Sequence, residues 1–154
     1  MKFNATSGGN SDPNVIKLKD GQSVTGVLRG EPVEFEKAFK PGDTPKFRFK
    51  INMVLNQDGK LVAKVLQGGW KLYAQLSDLQ NAGWKLEESF VMIARRGSQM
   101  NDTVYSATAS PNKPTADQLG AISRVQLNVL TADQPARQSR EPGQDDDSGN
   151  FGPY

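Results

Sequence analysis

The sequence predicts a mainly β fold in which five strands close into a small barrel. A helix is expected between strands three and four, a short helix after strand five, and disordered termini. Three observations carry this expectation: short apolar/polar runs of period two, one change to helical period at Trp70, and turn signals between them.

Each element has its own signature. Residues 23–29, Ser-Val-Thr-Gly-Val-Leu-Arg, read as the first strand. It continues through Val33 and Phe35 after a bend at Gly30-Glu31-Pro32. Lys40-Pro41-Gly42-Asp43-Thr44-Pro45 is a loop by its Pro and Gly content. Residues 46–55 alternate: Phe47, Phe49, Ile51, Met53 and Leu55 point one way, Lys46, Arg48, Lys50 and Asn52 the other. Asn56-Gln57-Asp58-Gly59 is a hairpin turn, and residues 60–67 return as strand three.

From Trp70 to Ala82 the period lengthens. Leu72, Tyr73, Leu76 and Leu79 fall on one helical face, with Gly83 placed to cap the C-terminal end. Residues 89–96 and 103–109 are strands four and five, joined by a loop at 97–102. Thr115-x-x-Gln118 is a capping box that opens the last helix. Val125, Leu127 and Val129 alternate like a strand, which leaves the state of 125–130 open. Three meandering strands, a helix and a closing hairpin make the arrangement of the OB barrel. An open α+β sheet with one helix packed on it has the same order of elements.

Around this body, residues 1–14 are a loose, Gly-, Ser- and Asn-rich start, residues 15–131 the folded domain, and residues 132–154 a disordered acidic tail. Hydrophobic residues make up only 36% of the chain, so part of it has too little apolar surface to form a core. The net charge of +2 conceals a division. Residues 1–140 carry 19 basic and 13 acidic groups, while 141–154 carry four acids and no base. A basic body with an acidic tail points to a nucleic-acid partner, or to a tail that competes for a basic site.

The composition also narrows the chemistry. With no Cys and no His, the usual thiolate nucleophiles, imidazole bases and zinc ligands are absent. Asp43, Asp58, Asp78, Glu87, Glu88 and Asp102 are scattered, without metal-ligand spacing. No phosphate-binding glycine loop or nucleophile elbow occurs. The expectation is a non-enzymatic protein with no cofactor and no metal. With neither a signal-like apolar segment nor an apolar run of membrane-spanning length, it is also expected to be cytoplasmic (host cytoplasm if viral) and without membrane contact.

Lys46-Phe47-Arg48-Phe49-Lys50 is the strongest local signal. Period two puts its three cations on one face about 6.6 Å apart, which suits successive phosphates of a single strand. A solvent-facing strand with protective lysines gives the same pattern. Lys64, Lys71, Arg95 and Arg96 are candidates to extend the face, although Arg95 and Arg96 must point to opposite sides of a regular strand. Base stacking needs exposed rings. The candidates are Phe35, Phe39, Phe47, Phe49, Trp70, Tyr73, Trp84, Phe90 and Tyr105; most are expected in the core, Phe47, Phe49 and Tyr73 because they share core faces, and Phe39, Trp70 and Tyr105 are the stacking choices. In the tail, Asp145, Asp146 and Asp147 with Phe151, Pro153 and Tyr154 offer a partner both charge and aromatic surface; a merely solubilising terminus would need only the acids.

Three stretches resemble the single-stranded-DNA-binding proteins of tailed bacteriophages, and more distantly their bacterial counterparts. They are Trp70-Lys71-Leu72-Tyr73-Ala74-Gln75-Leu76 leading to Gly83, the hairpin 90–97 with Asp102-Thr103-Val104-Tyr105, and the ending from Asp145 to Tyr154. The resemblance implies an OB fold that coats single-stranded DNA during replication, recombination or repair. It also implies a tail that recruits replication or recombination proteins. The bacterial tails close with Pro-Phe; here Pro153-Tyr154 closes the sequence, with residues 148–152 between it and the acids. A homo-oligomer is compatible with this reading. A protein-interaction scaffold, a minor virion component and an RNA-binding OB protein are the alternatives.

Overall fold

The computed structural model describes residues 14–38, 40–97 and 103–132. Five strands form one antiparallel sheet: β1 Ser23–Lys37, β2 Lys46–Gln57, β3 Lys60–Gly69, β4 Val91–Arg96 and β5 Val104–Ala109. Helix α1 is Trp70–Asn81, between β3 and β4, and α2 is Ala116–Ser123. This is the order of elements expected from the sequence. A 3-10 turn, Leu86–Glu88, has no counterpart in that expectation. It buries Leu86, and Glu87 accepts the Gly30 backbone N–H, tying the turn to β1.

The spatial order is β3-β2-β1-β4-β5. β1 is shared between two ladders. Its first residues, Ser23 to Gly26, pair with β4, and Val27 onward pairs with β2. Gly26 stands at the handover. A Cβ there would lie 2.5 Å from the Val54 carbonyl oxygen, so only glycine lets the two strands approach so closely. The expected bend at Gly30-Glu31-Pro32 is a bulge between the Arg29 and Val33 pairings, and Gly30 takes φ 78°. The β2–β3 hairpin turns on Asp58 and Gly59, both at positive φ, as a primed two-residue turn requires.

α1 ends as its sequence foretold. Gly83 has φ 105°, its N–H donates to the Gln80 carbonyl, and the Trp84 N–H donates to the Leu79 carbonyl. This pair of bonds closes the helix in a left-handed cap. The capping box of α2 is complete: Thr115 and Gln118 bond each other's backbone N–H groups.

Hydrophobic residues are buried on both faces of the sheet. The larger core joins Leu28, Phe49, Met53, Leu66, Val91 and Ile93 to Leu72 and Leu76 of α1. On the other face Val27 and Val54 pack with Ile122, Val125 and Leu127. The segment 125–131, whose alternation suggests a strand, forms no ladder. It lies as a strap over β2 and β3, held by Asn128. Asn52 Nδ2 donates to the Asn128 carbonyl (3.0 Å), and the Asn128 N–H and Nδ2 donate to Asn52 Oδ1 (2.9 and 3.1 Å). Asn128 Nδ2 also reaches the Ala63 carbonyl. Asn52 is therefore 3% exposed, although the sequence puts it on a solvent face.

No ladder joins β3 to β5 among the described residues, so hydrogen bonding leaves the sheet open. Each edge has other partners. Residues 14–16 run parallel to β3, exchanging bonds with Val65. On β5, the Gln75 side chain of α1 donates to the Tyr105 carbonyl and accepts the Ala107 N–H, both at 2.8 Å. One amide side chain thus occupies the place of a neighbouring strand.

Candidate nucleic-acid interface

The register of β1 against β2 assembles the basic face. Lys37 pairs with Lys46, Phe35 with Arg48 and Val33 with Lys50. Directly paired residues of an antiparallel ladder share a side, so Lys37, Lys46, Arg48 and Lys50 stand together around Phe35. The Lys50 ammonium lies 5.4 Å from the centre of the Phe35 ring, over its face. It also donates to the Thr131 carbonyl at 3.1 Å, where the strap reaches the basic face. The sequence does not pick out Lys37, and it offers Phe35 as one aromatic candidate but not among the three stacking choices. Their side of the sheet is fixed only by pairing after the bulge, which no local pattern reveals.

Arg48 leads from this face into a cleft of about 310 Å³ between the ends of β3 and the β4–β5 hairpin. Lys17, Gln67, Arg95 and Tyr105 line the cleft with it. Three residues singled out from the sequence, Arg48, Arg95 and Tyr105, thus meet at one place. Arg95 also braces the fold, because its guanidinium donates to the Leu18 and Gly97 carbonyls. Arg96 pairs with Val104 on the opposite side and is exposed, so the two arginines point apart, as strand geometry demands.

Trp70 is 61% exposed at the start of α1. Its ring meets Phe47 edge-on at 5.4 Å and lies nearly parallel to Tyr73 at 6.0 Å. Phe47 and Tyr73 are half-buried and pack on the larger core, as expected. The cluster faces away from the cations, because Phe47 alternates with Lys46 and Arg48. It shares its side with Glu36, paired with Phe47, and Glu34, paired with Phe49. The Tyr73 hydroxyl donates to the Glu34 carboxylate. That hydrogen bond, then burial, then the nearby negative charge raise the Tyr73 pKa above the usual phenol value. These carboxylates repel phosphate from the ring cluster. The cations and Trp70, the most exposed ring among the described residues, are therefore on opposite sides of the β1–β2 ribbon.

Two other candidates lie elsewhere. Lys64 pairs with Met53 and so belongs to the face opposite Arg48 and Lys50. Its even number in a strand where Gly69 and Gln67 oppose the cations decides this. Lys71 is exposed on α1, one residue beyond Trp70. The two glycines before the helix differ in their surroundings. A Cβ on Gly68 would lie 2.9 Å from the Leu72 side chain, whereas one on Gly69 would lie 3.5 Å from Arg48 Nη1. Gly68 gives the helix its close approach, whereas a side chain at Gly69 would make only ordinary contact with Arg48.

Phe39, Asp145, Asp146, Asp147, Phe151, Pro153 and Tyr154 lie outside the described residues. Among the described residues, no cluster of three or more acidic side chains could hold a metal ion, and no helix is long and apolar enough to cross a membrane. Comparisons of the chain with protein-family models, with curated proteins and with solved structures found no match.

Proposed function

We propose that this chain is a non-catalytic, sequence-tolerant single-stranded-DNA-binding protein of the OB type, acting in replication, recombination or repair. The strand order β3-β2-β1-β4-β5, with a shared first strand and a helix after β3, supports the OB reading. In a closed barrel of this type β3 and β5 would pair; here residues 14–16 and Gln75 satisfy those edges.

The observation that carries the function is the grouping of Lys37, Lys46, Arg48 and Lys50 around Phe35, continuous through Arg48 with the cleft of Lys17, Arg95 and Tyr105. Such a path gives a polynucleotide cations spaced for phosphates and rings for bases, without a base-reading element. Thr131 at Lys50 supports a second part of the reading, because the acidic segment follows it directly, beside the basic face. Tethering gives that segment a high effective concentration there, so it competes with DNA and is freed for protein partners when DNA binds.

Titration of labelled oligo-dT at two salt concentrations tests the reading. Binding should be length-dependent and should weaken as salt rises. Absence of binding to oligo-dT at low salt would overturn it. It would favour instead an interaction scaffold, to which exposed Met92 and Val104 on the outer side of β4–β5 lend support. Cutting the chain after Arg140 should tighten DNA binding; unchanged affinity would remove the competing tail.

A further inference from the structure

A second cavity, of about 420 Å³, opens between α2 and the β2–β3 hairpin. Val54, Leu55, Leu61, Phe90, Ala121 and Ile122 give it a mainly apolar wall. Thr25, Asn56 and Gln118 add hydrogen-bonding groups. The volume falls within the roughly 300–1,000 Å³ of pockets that hold small ligands or inserted side chains. We infer that this groove receives the aromatic segment 151–154 of the same chain, with Phe151 or Tyr154 as the inserted ring.

Three observations choose this occupant. The first is reach. The chain leaves the groove after Ile122 of α2 and, as the strap, arrives beside Lys50 at Thr131. Lys50 and Leu55 are five residues apart on β2, about 17 Å at roughly 3.3 Å per residue. Phe151 lies nineteen positions beyond Ala132. A coil of that length has an end-to-end distance of roughly 24 Å, enough to return to the groove without strain.

The second is spacing. Asp146 precedes Phe151 by five residues, and Lys50 precedes Leu55 by five. A stretch with Asp146 at Lys50 therefore brings its first ring within reach of the groove, running beside the strap that covers Asn52. Charge complementarity fixes one end of the match and apolar burial the other. The third is chemistry. The groove is apolar with polar groups on its wall, which suits a phenol ring: Gln118 or Asn56 can bond the Tyr154 hydroxyl while the ring is buried. The docking stands apart from DNA binding, since it needs only the groove and the basic face.

The absence of Cys permits a direct test in the full chain. Ser148→Cys is labelled with a nitroxide, and amide signals of the isotope-labelled protein are recorded. Docking predicts broadening at Leu61, Phe90 and Ala121. Adding Phe151→Ala and Tyr154→Ala should abolish it, and these changes lie outside the described residues. Ala121→Trp, which fills the groove, should do the same. Unbroadened groove signals would overturn the inference. So would broadening confined to the surroundings of Lys46 and Lys50, or broadening that persists in the double variant. A mixture of spin-labelled unenriched chain with unlabelled enriched chain should show none; broadening there would assign the groove to a second copy and refute docking within one chain.

Discussion

Replacing Asn52 by Leu should detach the strap while leaving the sheet intact. Asn52 makes three hydrogen bonds to Asn128, two of them to its backbone N–H and carbonyl. Leu preserves much of the side-chain shape but offers no partner. Two backbone groups then lose their bonds, at about 1–3 kcal/mol each when water cannot replace them. Asn128 is half-buried, so the lower half of that range applies, and the added apolar surface of Leu returns part of it. The net loss should be on the order of 2–3 kcal/mol, read as a lower urea midpoint with nearly unchanged slope. Hydrogen exchange should speed up at Leu127 and Asn128 but not at Phe49 or Ile93. The Asn128→Ala variant closes a double-mutant cycle, with a coupling of at least about 1 kcal/mol expected. Additive effects, or an Asn52→Leu protein as stable as the parent, would refute the idea that this pair holds the strap.

Other outcomes follow from the same geometry. Lys46→Gln with Lys50→Gln should reduce the slope of log affinity against log salt by about 1.4, at roughly 0.7 per lost phosphate contact on a single strand. Phe35→Ala should weaken oligo-dT binding by about 1–3 kcal/mol, the worth of one stacked base, whereas Trp70→Ala should change it less than about threefold because Glu34 and Glu36 share the Trp70 side. Gly26→Ala should cost at least about 2 kcal/mol in denaturant titrations, since its methyl group meets the Val54 carbonyl. The raised pKa of Tyr73 stabilises the fold fully below the ordinary phenol value of 10.0 and loses that contribution as pH rises through the higher folded value. Tyr73→Phe should accordingly flatten the alkaline decline in stability, and Glu34→Gln should bring the spectroscopic titration of Tyr73 closer to 10.0.

Local signals are legible where one segment decides its own conformation. The alternation at 46–55 states a strand with two unlike faces, and Gly30-Glu31-Pro32 states a break in β1. The Thr115/Gln118 pair and Gly83 state helix ends. Facts that depend on a distant segment are not legible. Nothing near Asn52 says that Asn128 will cover it, and nothing in Gln75 says that its amide will meet β5. The site divides in the same way. Lys46, Arg48 and Lys50 share a side by simple alternation, but the sides of Lys64 and Phe35 follow from the register set by the hairpin turn and the bulge. The meeting of Arg48 with Arg95 and Tyr105 depends on how far the sheet curls, which is a property of the whole molecule.

The Gln75 amide on β5 has a consequence for solution behaviour. An uncapped strand flank invites the same strand of another molecule to add on, and each addition exposes a new flank. Here a single helix side chain blocks that chain reaction at its first step. Exchanging it for a residue without an amide would leave monomer folding largely intact while opening a route to fibrils, so the side chain guards colloidal behaviour more than architecture.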